Sequence, residues 1–72
     1  MSGRPFDLLS AAIGKDVIVE CKGNVSYRGT LKAFDVHMNV VLENAEKFEN
    51  SEPKNKYGKL LIRGENVMLI SP

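Results

Sequence analysis

Five side chains in this 72-residue sequence are of kinds that recognise a ligand, and they fall in two short stretches. In FDVHMNVVLE, Phe34 to Glu43, polar residues Asp35, His37 and Asn39 take alternate positions in a run otherwise suited to burial. In RGEN, Arg63 and Glu65 flank a glycine. An imidazole and a guanidinium are flat groups that stack on base faces, and a primary amide carries the paired donor and acceptor that read a base edge. Asp35 and Glu65 are then acceptors that hold Asn39 and Arg63 in place. This inventory suits an unpaired nucleic-acid base. Each residue alone has a plainer role: a solvated histidine at a strand end, an asparagine capping a turn, a surface arginine in a weak ion pair. The combination carries the weight. An enzymatic reading would make His37 a general base oriented by Asp35 or Glu65. The sequence offers no nucleophile or metal set beside them, no phosphate-cradling glycine loop and little volume for a substrate, so no catalytic residue is assigned.

These residues need elements to hold them. RPFDLLSAAIG, Arg4 to Gly14, has a proline where a first helical turn tolerates it, Asp7 near the positive end of the dipole and a closing glycine. It predicts a short helix whose apolar face is Phe6, Leu9 and Ile13. In DVIVECKGN the period becomes two, with Val17, Val19 and Cys21 on one face, and the strand ends in a Gly-Asn turn. VSYRGTLKAF alternates again, with Val25, Tyr27, Leu31 and Ala33 on one side and Gly29 on that apolar face. A missing side chain there predicts a sharp bend. A third strand is expected from near Met38 through VVLENAEKF, a fourth over Tyr57 to Arg63, and a fifth in VMLIS after the RGEN turn. ENSEP is expected to be the loop between the third and fourth.

Charge supports a hairpin there. Glu43 to Glu52 holds four acids and Lys47, while Lys54 to Arg63 holds four bases and no acid. Paired around Asn50 to Pro53, the two runs set opposite charges across from each other. One helix followed by five short antiparallel strands predicts a mainly β fold, a small open barrel of the SH3-like or OB-like kind. In such a barrel the second-to-third and fourth-to-fifth connections emerge at one end, so DVHMN and RGEN meet.

At 72 residues the chain is one domain whose own core barely offsets the entropy of ordering it. The lone Cys21 excludes an intramolecular disulfide, and a single cysteine and histidine argue against a structural zinc site. No metal or cofactor is expected. Self-association is the remaining way to gain burial, and the apolar fourth and fifth strands supply edges for it. No run approaches the roughly 18 apolar residues of a membrane helix, and MSGRPFDLL lacks the order of a signal peptide, so a soluble cytoplasmic protein is expected. The formal charge is +1, which does not indicate binding by bulk attraction to phosphate. Any nucleic-acid contact has to be local and geometric.

RGTLKAFDVHMNVVLENA, Arg28 to Ala45, resembles the first Sm motif, and KLLIRGENVMLISP, Lys59 to Pro72, resembles the second. The short RPFDLL helix stands in front as in archaeal Sm-like (Lsm) proteins. The resemblance covers nearly the whole chain as one Sm-like domain, 1–72, with the first motif over about 15–45, a variable loop over about 49–56 and the second motif over about 59–72. It implies a strongly bent five-stranded antiparallel sheet behind an N-terminal helix, assembled into a homo-oligomeric ring. Seven subunits are favoured and six are possible, with the fourth strand of one copy pairing the fifth of the next. It also implies uridine-rich single-stranded RNA as ligand, in RNA processing or ribonucleoprotein assembly. His37 and Arg63 would stack on a uracil, Asn39 would hydrogen-bond its edge and Asp35 would support Asn39. Archaeal relatives commonly carry aspartate where this chain has Glu65, one methylene longer, as the position that would support Arg63 or contact the base. Arg4 on the helix is a further RNA-contact candidate, and Lys54 and Lys56 are read as solvated charge. The competing reading is an SH3-like barrel that binds proteins or the ribosome and has no base pocket.

Overall fold

The computed structural model describes residues 5–72, and Arg4 lies outside the described residues. Helix α1 (Pro5–Ala12) begins at the proline, and it buries Leu9 and Ala12. The apolar face therefore differs from the expected one: Phe6 and Ile13 are both 43% exposed. The helix is only eight residues long, so its contact is confined to the two positions, three apart, that rest on the sheet. Phe6 leans on Phe34, with ring centroids 5.7 Å apart.

The strands are β1 (Asp16–Cys21), β2 (Val25–Phe34), β3 (Val40–Glu49), β4 (Glu52–Ile62) and β5 (Val67–Ser71). They form one antiparallel sheet in the order β4-β3-β2-β1-β5. The fold is thus the short helix and strongly bent five-stranded sheet that the sequence predicts. Val17, Val19 and Cys21 are buried, as their alternation requires. With Leu31, Val40, Leu42, Ala45, Ile62 and Ala12 they make the core. Burial raises the Cys21 thiol pKa above its ordinary value, in keeping with a small apolar role.

The alternation of β2 does not run unbroken. Its ladder with β3 shifts between Arg28 and Thr30 and again between Leu31 and Ala33, and Ala33 ends exposed while Leu31 is fully buried. A one-residue slip turns every later side chain to the other face. The first shift is where the sheet folds over. A Cβ on Gly29 would stand 2.9 Å from the Glu43 carbonyl oxygen and 3.0 Å from the Ala45 Cα, so the strands approach more closely than a side chain allows. Opposite, Asn44 takes a left-handed φ of 51°, and in β4 Gly58 lies between the partners of Glu43 and Ala45. Gly29, Asn44 and Gly58 mark a bend line across three strands.

The 49–56 stretch, expected to be a variable loop, is strand apart from its turn. Asn50 and Ser51, with φ of 51° and 69°, form a two-residue hairpin turn, and β4 starts at Glu52. Two successive positive φ values match the right-handed twist of the flanking strands, so no longer loop is required. Pro53 is admitted because β4 is an edge strand. The charge pairing of this hairpin holds at two positions, with Glu43 opposite Lys59 at 3.6 Å and Glu46 in register with Lys56, and fails beside the turn, where Glu49 is opposite Glu52. β3 begins at Val40 rather than near Met38, which leaves Asp35 to Asn39 as a connection.

Candidate nucleic-acid interface

β2 ends at Phe34, and the next five residues turn back on one carboxylate. Asp35 Oδ1 accepts the backbone N–H groups of His37 at 2.9 Å and Asn39 at 3.0 Å, while Oδ2 accepts the Asn39 side-chain amide at 3.0 Å. The Asp35 carbonyl accepts the Met38 N–H at 2.9 Å, and the Asp35 N–H donates to the Asn39 carbonyl at 3.2 Å. Asp side chains favour such local closures, which fix a turn without help from a sheet. The hydrogen bond from the Asn39 amide is the main cause that holds the Asp35 carboxyl below its ordinary pKa. Desolvation is the next-largest cause and opposes it, and the two backbone N–H groups and the nearby imidazole add to the lowering. Met38 sits in the left-handed region at φ 63°, the strained residue of the turn.

The second connection follows β4. Arg63 is extended (φ −70°, ψ 136°), Gly64 to Asn66 make one 3-10 turn, and the Asn66 N–H donates to the Arg63 carbonyl at 3.0 Å. The Gly64 N–H donates to Asn39 Oδ1 at 2.8 Å. A Cβ on Gly64 would overlap the His37 carbonyl, so only glycine lets the two connections touch. The convergence expected from barrel topology is therefore a direct backbone-to-side-chain contact.

This contact settles the orientation of the Asn39 amide. Asp35 is acceptor-only and requires the NH2 group, and the Gly64 N–H is donor-only and requires the oxygen. Each end of the amide keeps one further hydrogen-bonding position: one N–H and one lone pair, in a fixed sense. Asn39 is half-buried, whereas Asp35, His37, Arg63 and Glu65 are exposed. Arg63 Nη2 lies 3.4 Å from Glu65 Oε1. A flat cation, an imidazole and a directed amide thus stand on two joined loops at one end of the sheet, a combination able to stack on a planar ring and read its edge.

Lys22 was not singled out from the sequence. Its backbone N–H donates to the Asn66 carbonyl at 3.1 Å, which ties the β1–β2 turn to the 3-10 turn, while the Asn24 carbonyl of the same turn accepts the Asn50 N–H of the β3–β4 hairpin at 2.9 Å. Lys22 shares a cleft of about 430 Å³ with Arg63, Asn66, Tyr27, Lys47 and Tyr57. No sequence signal marked it, because the bond is a backbone contact between turns 44 residues apart. Among the described residues no group of three His, Cys, Asp or Glu side chains is placed to hold a metal, and no helix is long and apolar enough to cross a membrane.

Comparison with known proteins gives a consistent result. Residues 7–72 match the LSM domain family. The snRNP Sm-like protein of Thermococcus sibiricus is 49% identical over 72 residues, covering 100% of this chain and 95% of its own. The structure of the Pyrococcus abyssii Sm protein in complex with a uridine heptamer superposes with a TM-score of 0.93 at 44% identity, covering 97% of this chain and 99% of that one. A heptameric archaeal Sm protein superposes with a TM-score of 0.84 at 41% identity, covering 92% and 96%.

Proposed function

Because the chain belongs to the LSM domain family, we propose that it assembles into a homo-oligomeric ring, with seven copies favoured, that binds uridine-rich single-stranded RNA at its pore. The observation that carries this reading is the Asn39 amide, held between the Asp35 carboxylate and the Gly64 N–H. Its free lone pair and free N–H complement the N3–H donor and adjacent carbonyl acceptor of uracil. Cytosine has an acceptor at N3 and a donor at N4, the reverse order. An amide free to rotate would accommodate both, whereas this one is fixed by partners that tolerate a single orientation. His37 and Arg63 supply the stacking surfaces, with base stacking worth about 1–3 kcal/mol.

A single such site on a chain of charge +1 is weak. Several copies around one pore act on the same strand and gain from effective concentration. The sheet supports this arrangement, since β4 and β5 are its two edges and carry Leu61, Met68 and Leu69 at 60%, 68% and 47% exposure. Open edges with apolar side chains favour pairing with another copy. The similar structures of a heptameric archaeal Sm protein and of an Sm protein in complex with a uridine heptamer support the same assembly and ligand. The ring acts as a binding platform in RNA processing or ribonucleoprotein assembly and has no catalytic activity of its own.

The test is to measure mass together with oligouridine and oligocytidine binding, for the native chain and for Asn39→Ala. A ring that prefers oligouridine and loses that preference on substitution is expected. A monomeric native chain, or equal binding by both chains, overturns the reading.

A further inference from the structure

Resting on the RNA reading above, we propose that Glu65 makes the base site selective by cancelling the charge of Arg63, so that base recognition rather than phosphate attraction decides which strand is held. The loops do not need Glu65 for their closure. That closure is made by the Asp35 carboxylate, the Gly64 N–H on Asn39 and the Asn66 N–H on the Arg63 carbonyl. Glu65 instead directs its carboxylate at the one guanidinium of the site, Oε1 to Nη2 at 3.4 Å, with both side chains about two-thirds exposed or more.

An unanswered arginine at a pore attracts every phosphate alike, whatever base it carries. This attraction raises affinity without sequence information and makes it steeply salt-dependent. Specificity is a difference of affinities, so a gain equal for every ligand would cancel. An arginine turned to a phosphate instead of a base, however, opens a parallel base-indifferent way of holding a strand, which adds proportionally most to the strands the base site holds weakly. A carboxylate beside the guanidinium weakens that base-indifferent mode. It occupies one edge of a planar group that has five N–H donors and two open faces, so stacking on a base is left intact. Half of the eight other described lysines and arginines are answered in the same way: Lys32, Lys47, Lys54 and Lys59 each lie within 3.8 Å of a carboxylate. In a ring the Arg63–Glu65 pair recurs once per copy, so a modest local effect is multiplied along one strand.

The experiment compares the native protein, Glu65→Gln and Glu65→Asp, checked for equal mass and far-UV circular dichroism, in binding labelled uridine and cytidine heptamers at two salt concentrations. Glu65→Gln is expected to tighten cytidine binding more than uridine binding, by up to about five-fold per site, the size of an exposed ion pair. Its affinity should also fall more steeply with salt. Glu65→Asp keeps the charge and should keep the native preference and salt dependence. The proposal is overturned if Glu65→Gln weakens uridine binding, leaves the uridine-to-cytidine ratio unchanged, or is matched in its loss of preference by Glu65→Asp. A native protein that binds neither heptamer overturns the base-binding reading itself, an outcome distinct from any of these.

Discussion

At the residue scale, the site depends on one acceptor satisfying three donors. Asp35 takes two backbone N–H groups on Oδ1 and the Asn39 amide on Oδ2. An asparagine in its place has a single oxygen. If that oxygen keeps the backbone bonds, an NH2 group faces the NH2 of Asn39, and a flip of Asn39 to relieve this turns its own NH2 toward the Gly64 N–H. Asp35→Asn is therefore expected to leave the fold intact while reducing preference for oligouridine over oligocytidine, read by competition binding. Acid should act in the same direction. The folded carboxyl of Asp35 has a lowered pKa, so it is stabilising above the ordinary carboxylate value, and that contribution is lost as pH falls through the lowered folded value. An NMR titration should find the His37 and Asn39 amide resonances responding to the Asp35 carboxyl with a midpoint below its ordinary value. Gly64→Ala should be harsher than either, because its Cβ meets a backbone carbonyl that cannot rotate away. Loss of oligouridine binding with about 1–3 kcal/mol of destabilisation is expected, measured by urea unfolding.

At the element scale, the strands were legible where alternation runs unbroken and misread where it slips. Val17, Val19 and Cys21 in β1 lie where their period places them. Ala33 does not, because the two ladder shifts in β2 are decided by the opposing strand and not by β2 itself. ENSEP has loop composition yet forms a two-residue turn and the start of a strand, since composition does not report φ. The bend line offers a paired comparison. Gly29→Ala forces a Cβ to 2.9 Å from a carbonyl oxygen and should cost about 1–3 kcal/mol, whereas Gly58→Ala meets nothing within 4 Å. The second change should be neutral or stabilise by up to about 1 kcal/mol through the unfolded state. Thermal unfolding of both variants checks this ordering.

At the scale of the whole molecule, the sheet leaves β4 and β5 as its two edges, and β4 is exposed over most of its length. Leu61 adds little to the core of one copy at 60% exposure, so its removal should touch assembly more than folding. Leu61→Asp is expected to lower the mass of the assembly while leaving the far-UV circular dichroism spectrum near native, as measured by light scattering. Oligouridine affinity should fall with the mass, since the sites then act singly.

The sequence by itself determined the kinds of group available and the order of elements that carry them. Period, charge and turn residues are local properties, and they place one helix, five strands, Asp35 to Asn39 and Arg63 to Glu65 in two connections of one barrel. The tertiary structure alone decided how those groups are aimed. The Gly64 N–H meets Asn39 across 25 residues, the Gly64 Cα lies against the His37 carbonyl, and Lys22 joins through Asn66. These are contacts between distant backbones, set by where the sheet bends, and no local pattern encodes the side from which an amide will be held.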